Sequence, residues 1–348
     1  MTKEQKNIGS DENDPNAENR KRDHIDLAFK SRVEAARLDN RFYYEPMLSA
    51  HPDNKTGGDF NFLGKKMQVP IWVSSMTGGT EKAFTINSNL ARACREFGMG
   101  MGLGSCRSLL SGDVRLKDFD FRKIIGDELP FYANLGVAQV EQLFQQGESY
   151  KIKMLIDRLN ADGLILHINP LQEWLQPEGD RFIKPPLDNL KRLLDEMPGL
   201  SVIVKEVGQG FGPKSLEALL ELPLAAIEFG AAGGTNFAML EMLRDENKIE
   251  IFEGIARVGH TAEEMVGFIN DILSGGKDKI LCKQVIISGG VKDFLDGYYL
   301  THKINASAIY GQASAFLKYA QGDYQTLHDY VETQVKGLAL AEAFLTVR

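Results

Sequence analysis

The chain has few cysteines and no disulfide spacing, which excludes two classes of fold. Its 348 residues include three cysteines, Cys94, Cys106 and Cys282, and no CxxC pair. An odd set without paired spacing predicts reduced thiols rather than a disulfide framework or a zinc site. We therefore expect a protein of the cytoplasm.

The chain also lacks an excess of positive charge and lacks a long apolar run. Forty Lys and Arg stand against 48 Asp and Glu, a net charge of -8. Nucleic-acid backbones need a basic face, so we expect no nucleic-acid partner. No apolar run approaches the length of a membrane span and the N-terminus is charged, so we expect no membrane partner and no secretory signal.

The first 19 residues contain little that could be buried. Only Met1, Ile8 and Ala17 are apolar in this segment. Such a segment cannot offset the entropy lost on ordering, so we predict a disordered tail over residues 1–19. Residues 20–348 are then expected to form a single domain, a size compatible with a large α/β barrel.

From about Leu63 onward the chain repeats one pattern. A short apolar run is followed by a Gly- or Asn-rich connecting segment, which we call a corner, and then by a segment of helical period. The predicted strands are residues 71–74, 99–103, 131–135, 164–168, 202–206, 225–229, 285–288 and 307–310. The predicted helices are residues 86–97, 137–145, 151–160, 187–196, 215–221, 262–273 and 294–301, with a terminal outer helix over 325–344.

The strands are continuously apolar, which is typical of a parallel sheet covered on both faces. Eight such units in roughly 250 residues predict an α/β fold of the (β/α)8, or TIM, barrel type. A doubly wound open sheet is the alternative. No GxGxxG follows the first strand, which weakens its dinucleotide-binding form.

The fourth predicted strand ends in four polar groups of different chemistry, His167, Asn169, Gln172 and Glu173. Alternate residues of a strand face the same side, so His167 and Asn169 are expected to point the same way. In parallel α/β folds the carboxyl ends of the strands carry the active site. The pattern favours a site, although a strand can also simply end in polar residues.

Glycines dominate the corners after the sixth, seventh and eighth strands, at residues 230–235, 288–292 and 310–314. Such corners expose backbone N–H groups to a phosphate, and barrels commonly bind phosphate after strands seven and eight. Each glycine alone could serve a plain turn. Lys205 ends an apolar strand, where an ammonium needs compensation. It indicates either a fixed charge beside an electron-rich ring or anion, or a structural ion pair.

Two further basic features could meet an anionic substrate. Arg20, Lys21 and His24 lie where the predicted tail ends, and Arg107 lies on the second corner. A guanidinium suits phosphate because it donates two parallel hydrogen bonds. The alternative for the first cluster is a solvated surface, which is common for basic segments.

These motifs resemble the type 2, flavin-dependent isopentenyl diphosphate isomerase family, from Arg20 to about Leu317. The most specific matches are His167–Glu173 with Pro177–Asp180, and Ser75–Gly79. Arg20-Lys21 with His24, and Gly104-Ser105 followed by Arg107, also match.

The resemblance implies an FMN-binding (β/α)8 barrel that interconverts isopentenyl and dimethylallyl diphosphate, as a homotetramer or homo-octamer. It implies Mg2+ bound by Glu173, catalytic roles for His167, Asn169 and Gln172, and NADPH only to prime the flavin. The implied ligands of the substrate are Arg20, Lys21, His24, Ser105, Arg107 and Gln172. The implied ligands of FMN are Ser75, Met76, Thr77, Ser105, Asn134, Lys205, Gly230, Thr235, Gly290, Val291, Lys292, Ala313 and Ser314.

The chain departs from the family pattern at four places. Cys106 replaces a Gln, and Asn236-Phe237 replace a Ser-Trp pair. Glu228–Ala231 stand where the family usually has Asp-Val-Ser-Gly, and Ser314 stands where a basic or another small residue is common.

Moving a double bond requires adding a proton at one carbon and removing one at another. Glu173 is assigned to metal by the resemblance, so His167 is the one titratable side chain left for this task. The resemblance therefore implies that reduced FMN is the acid and base, with His167 as the alternative acid. The rival functions are an FMN-dependent oxidoreductase of the 2-hydroxy-acid oxidase or IMP-dehydrogenase-like type, with Cys106 as its candidate cysteine, and a catalytically silent binding protein.

Overall fold

A computed structural model describes residues 16–52, 58, 60–245, 248–276 and 279–348. The chain divides into two compact units, one that reaches to Tyr43 and includes Arg348, and one that covers Tyr44–Val347. The first unit contains the helix α1 (Ala17–Leu27) and a short 3-10 turn, Ala35–Arg37, and the strand β1 (Phe42–Tyr44) begins in it.

The predicted tail falls mostly on residues 1–15, which lie outside the described residues. Residues 17–19 belong to α1, so the helix begins before the predicted boundary. Glu18 lies in its first turn and His24 in its last, the arrangement that a helix dipole favours. The division into a tail and one barrel domain stays a prediction.

The second unit is built on a closed sheet. A hairpin of β2 (Phe60–Phe62) and β3 (Lys65–Met67) comes first. The parallel strands that follow close into a barrel: β4 (Ile71–Val73), β5 (Gly100–Gly102), β6 (Phe131–Gly136), β7 (Gly163–Ile168), β8 (Val202–Glu206), β9 (Ala226–Glu228), β10 (Gln284–Ser288) and β11 (Ser307–Gln312). All eight predicted strands are confirmed, and the pairing of β11 with β4 excludes the open sheet.

The helices lie between the strands and after them, and the predicted helical segments are present. They are α2 (Glu81–Phe97), α3 (Arg122–Ile125), α4 (Val137–Gln145), α5 (Tyr150–Leu159), α6 (Pro170–Leu175), α7 (Pro186–Glu196), α8 (Pro213–Leu220), α9 (Phe237–Leu243), α10 (Ile249–Ala256), α11 (Ala262–Gly275), α12 (Phe294–Lys303), α13 (Ser314–Ala320) and α14 (Tyr324–Phe344), before a last strand, β12 (Leu345–Val347). The helices α1, α3, α6, α9, α10 and α13 were not predicted. Among the described helices, none has the length and hydropathy needed to cross a membrane.

An apolar layer fills the barrel at its amino-terminal end. Phe62 and Met67 of the hairpin pack into this layer, and the Leu63 N–H donates to the side chain of Gln284, the first residue of β10. The hairpin therefore covers the end opposite the strand corners. The strand residues of the layer are Trp72, Tyr132, Ile165, Ile203, Ala226, Ile286 and Ile309.

A polar layer lies next to the apolar layer, toward the carboxyl ends of the strands, where the corners begin. Because alternate residues share a face, the residues two places further along each strand point inward as well. They are Ser74, Asn134, His167, Lys205, Glu228 and Ser288. Gly311 faces the same level, where an added Cβ would lie 2.5 Å from the Ser74 hydroxyl. The polar layer thus forms the floor on which a site at the corners can be built.

Packing at the start of β7 leads to the first prediction. A Cβ on Gly163 would lie 2.1 Å from the Ser201 carbonyl oxygen, and backbone cannot move aside cheaply. We expect Gly163→Ala to lower the free energy of unfolding by about 1–3 kcal/mol in urea denaturation. The control is Gly267→Ala in α11, where nothing lies within 4 Å of the new Cβ. Helix propensity should raise its stability by up to about 1 kcal/mol, and equal effects of the two changes would contradict the prediction.

Candidate active site

Two adjoining cavities open at the corner end of the barrel. Their volumes are about 460 and 110 Å3. Both are lined by the same five residues, Ser75, Met76, Lys205, Val207 and Phe237. The two cavities therefore form one site, with Lys205 in the wall that they share.

The larger cavity is walled by the end of β8 and by the corners after β4, β8, β9, β10 and β11. It brings together most of the side chains and turns that the family resemblance assigns to FMN, from separate parts of the sequence. These are Ser75, Met76, Lys205, Gly230, Thr235, Gly290, Val291, Lys292, Ala313 and Ser314.

The glycines of this wall are required by close backbone packing. Gly289 has a φ of +89°, and a Cβ there would lie 2.1 Å from the Ala231 carbonyl oxygen. A Cβ on Gly233 would lie 3.1 Å from the Gly290 Cα. The corners after β9 and β10 therefore approach each other backbone to backbone, and no side chain from these positions fills the cavity.

Three ammonium groups line the larger cavity. Lys205 is 6% exposed, and its Nζ donates to the Glu206 carbonyl oxygen at 2.7 Å. An ammonium has three donors, so this single bond leaves capacity for a ligand. Lys292 and Lys318 are exposed and belong to the corner after β10 and to α13. The cavity is thus suited to an anion.

The smaller cavity is organised around His167. The Asn134 side-chain amide donates to the Leu103 carbonyl oxygen at 2.9 Å, which turns its Oδ1 toward His167. His167 Nδ1 lies 2.7 Å from that oxygen and therefore carries the proton. Burial and the positive charge of Lys205 lower the pKa of His167 to about 3. The imidazole is neutral near pH 7 and cannot donate as an imidazolium.

Asn169, which follows β7, and the first turn of α6 form a second polar cluster. Asn169 Nδ2 donates to Gln172 Oε1 at 3.0 Å and to Glu173 Oε1 at 3.1 Å. The Asp180 N–H donates to Glu173 Oε2 at 2.8 Å, and Gln172 Nε2 lies 3.3 Å from Glu241 Oε1. Glu173 is 7% exposed, so its carboxylate is held in one orientation. Gln172 faces the smaller cavity from the same turn.

Arg107 is tied to the same region by an ion pair. Its Nη1 lies 3.0 Å from Asp180 Oδ2. Gln139 and Gln142 also donate to this carboxylate, at 3.0 and 2.8 Å. An anion that binds Arg107 must therefore compete with Asp180.

Several residues assigned by the resemblance lie outside both cavity linings. Among them are Thr77, Arg107, Asn169 and Glu173. Arg20, Lys21 and His24 lie on α1 in the first unit, and all three are exposed. The residues of the resemblance that line the smaller cavity are Ser75, Met76, Ser105, Asn134, His167, Gln172 and Lys205.

Several residues that line the larger cavity were not predicted from the sequence. Phe237 stands where the family has Trp, and this aromatic position was the available signal. Lys318 follows Ser314 by one helical turn, a spacing that becomes visible only once α13 is recognised as a helix. Gly208 also lines this cavity, and a Cβ there would lie 2.5 Å from the Thr235 carbonyl oxygen, a close approach that a single sequence does not reveal.

Cys106 is buried rather than presented to the site. Its side chain is 0% exposed, and its Sγ lies 3.4 Å from the Gly104 carbonyl oxygen. Burial raises the pKa of this thiol to about 12, against a smaller opposite effect of the Asn134 backbone. It is therefore a core residue and not a nucleophile.

The neutral state of His167 leads to a prediction about stability and pH. The unfolded chain binds a proton on this residue near pH 6.5, whereas the folded chain does so only near pH 3. Between these values the unfolded state binds more protons, so stability falls as pH falls. We expect His167→Asn to reduce that slope by up to about 1.4 kcal/mol per pH unit, measured by urea denaturation between about pH 6.5 and 4.5. The exposed His51→Asn variant is the control, and an unchanged slope in His167→Asn would contradict the prediction.

The proteins similar to this chain in sequence include isopentenyl-diphosphate delta-isomerases. It is 32% identical over 326 residues to an isopentenyl-diphosphate delta-isomerase of Rickettsia peacockii, covering 92% of this chain and 91% of the relative. Proteins of the same name from Rickettsia felis and a Nostoc species are each 34% identical, covering 92% and 91% of this chain and 90% and 89% of the relatives. No protein-family model matches the chain.

Solved structures share the fold at low sequence identity. The flavin-binding domain of baker's yeast flavocytochrome b2 matches with a TM-score of 0.58 and 11% identity, over 87% of this chain and 72% of that one. A mandelate oxidase mutant with a monooxide FMN adduct matches with a TM-score of 0.52 and 12% identity, over 88% of each chain. The sequence relatives are far closer and match over almost their full length, so the chain belongs to the isopentenyl-diphosphate delta-isomerase family.

Proposed function

We propose that the chain interconverts isopentenyl and dimethylallyl diphosphate, with FMN in the larger cavity and Mg2+ on the diphosphate. The observation that carries this proposal is the placement of two features at one end of the barrel. A glycine-walled cavity with lysines adjoins a smaller cavity faced by Gln172 and bordered by Glu173, in a chain of this family.

The larger cavity fits a flavin mononucleotide. Its volume of about 460 Å3 lies in the range of small-molecule sites. The backbone corners at residues 233–234 and 289–290 offer N–H groups without side chains in the way, and Lys292 and Lys318 add positive charge for a phosphate. Lys205 lies in the shared wall and would favour an anionic ring. The mandelate oxidase mutant, which has a similar fold, carries an FMN adduct, and this supports the proposal.

The smaller cavity and its border fit the diphosphate and its metal. In the described part of the chain, no three His, Cys, Asp or Glu residues come together as a metal site. Mg2+ commonly binds through one carboxylate, waters and substrate phosphates, and Glu173 would be that carboxylate. Arg107 would exchange Asp180 for the diphosphate, and Ser105 would add a hydroxyl. Arg20, Lys21 and His24 are proposed as further ligands on the family resemblance.

Among the described residues that line the smaller cavity, Lys205 is the one charged side chain, and we assign it to the flavin. His167 is neutral, and Asn169 and Gln172 do not titrate, so these groups can orient a ligand but not protonate an alkene. Reduced FMN, when bound, would supply the acid–base chemistry, and NADPH would serve only to reduce it. The side chains would bind, orient and exclude water. We also propose a cytoplasmic homotetramer or homo-octamer.

An FMN-dependent oxidoreductase is the less favoured function. A catalytic cysteine in such an enzyme must be reachable, and Cys106, the candidate on the corners, is buried. The similarity to mandelate oxidase and flavocytochrome b2 is at 14% identity or less and concerns the fold alone.

The proton source can be tested directly. Under anaerobic conditions with isopentenyl diphosphate, FMN, Mg2+ and dithionite, we expect dimethylallyl diphosphate to form. His167→Ala should keep measurable turnover, because a neutral His167 only orients neighbouring groups. Replacement of FMN by 5-deaza-FMN should abolish turnover in the wild type. Turnover with the deaza analogue and none in His167→Ala would make the side chain the acid.

The metal role of Glu173 gives another prediction. Glu173→Gln keeps the shape and removes the charge, so we expect at least a roughly tenfold loss of activity that added Mg2+ partly restores. The exposed Glu178→Gln variant, in the loop that follows α6, is the control and should stay near wild type. A slight loss that does not respond to Mg2+ would exclude Glu173 as the metal ligand.

A further inference from the structure

A buried carboxyl group lies in the polar layer below the larger cavity. Glu228 ends β9 and is 0% exposed, so it does not touch the cavity itself. On the neighbouring strand its register partner is Lys205, and both residues face the inside of the barrel. The site described above leaves this carboxyl without a role.

One hydroxyl connects Glu228 to the cavity wall. Ser288 Oγ donates to Glu228 Oε1 at 3.2 Å and accepts from the Gly230 N–H at 3.0 Å. Ser288 and Gly230 both line the larger cavity. The second oxygen, Glu228 Oε2, is buried and makes no hydrogen bond of normal length among the described residues; the nearby donors Trp72 Nε1 and Ser74 Oγ, which also make none, favour its ionised form at longer range.

The electrostatics of the layer couple Glu228 to Lys205. Burial raises the pKa of the Glu228 carboxyl, and the positive charge of Lys205 is the largest influence that opposes this rise, ahead of Ser74, Ser288 and Trp72. Lys205 also acts on Glu206 of its own strand. That carboxylate is held mainly by the backbone N–H groups of residues 208–210, at 2.6–2.8 Å.

His167 is the other titratable group of the layer, and it is neutral for the reason given above. The two groups of the layer that can carry charge are therefore one ammonium and one carboxyl, and the ammonium favours the ionised form of the carboxyl against the effect of burial. No ion pair within 4.0 Å joins these two among the described residues, so they act on each other through space in a medium of low dielectric constant.

We propose that Glu228 is a positioning residue whose carboxylate is the counter-charge of Lys205, and that it sets how strongly the site prefers reduced, anionic flavin over oxidised flavin. This inference rests on the FMN binding proposed above. A negative charge below the cavity offsets part of the attraction of Lys205 for an anionic ring. Its removal should therefore favour the reduced flavin.

The experiment measures the Kd of FMN in both oxidation states on flavin-free protein, anaerobically at about pH 8, by fluorescence and absorbance titration. For Glu228→Gln we expect the ratio of oxidised to reduced Kd to rise at least tenfold, which equals a potential shift of about 30 mV for a two-electron couple. Glu228→Asp keeps the charge and should stay within about threefold of wild type. A ratio unchanged in Glu228→Gln, with FMN still bound, overturns the inference while leaving FMN binding intact.

Two further outcomes are decided by the same titrations. If the wild type binds no FMN, the proposed function fails and this inference fails with it. If Glu228→Gln does not fold, Lys205→Gln is compared with the double variant Lys205→Gln/Glu228→Gln. In the double variant both charged side chains are replaced, so neither is buried without its counter-charge. We expect the single variant to bind reduced FMN at least tenfold more weakly than the double variant, and equal Kd values overturn the inference.

Discussion

The register of a closed parallel barrel is the constraint on which the site depends. When β11 pairs with β4, alternate residues of every strand must face one shared interior. Apolar side chains fill the first level, and Asn134, His167, Lys205 and Glu228 fill the next. A slip of one residue in any strand would turn its polar group out into the helix layer and put an apolar one in the site. Core packing therefore fixes the positions of the polar side chains at the site.

The ammonium of Lys205 dominates the electrostatics of that level. It helps to keep His167 neutral, opposes the effect of burial on Glu228 and faces both cavities. Burying such a charge is costly, and a site retains it where a ligand or a counter-charge uses it. The same ammonium therefore bears on three proposals, namely flavin binding, the proton source and the role of Glu228.

Local patterns predicted the elements well because the physical signals are local. Continuous apolar runs identified all eight strands, and β8 matches its predicted range of residues 202–206. The short helices α9 and α10 were missed because they interrupt one strand-to-helix connection and bury only a small shared cluster around Met242 and Ala256. Helix α1 was not predicted, and its first residues were assigned to the tail, because its exposed, charged sequence lacks the apolar stripe by which a packed helix is recognised.

The sequence by itself determined the fold class, the corner residues and the family, because strand periodicity and motif spacing depend on near neighbours. Only the tertiary structure decided how those corners share one site. It tied Arg107 to Asp180, buried Cys106, fixed the His167 proton on Nδ1 through Asn134, and brought Glu228 beside Lys205. These are contacts between residues far apart in the chain. Their energies depend on burial and distance, which exist only once the barrel has closed.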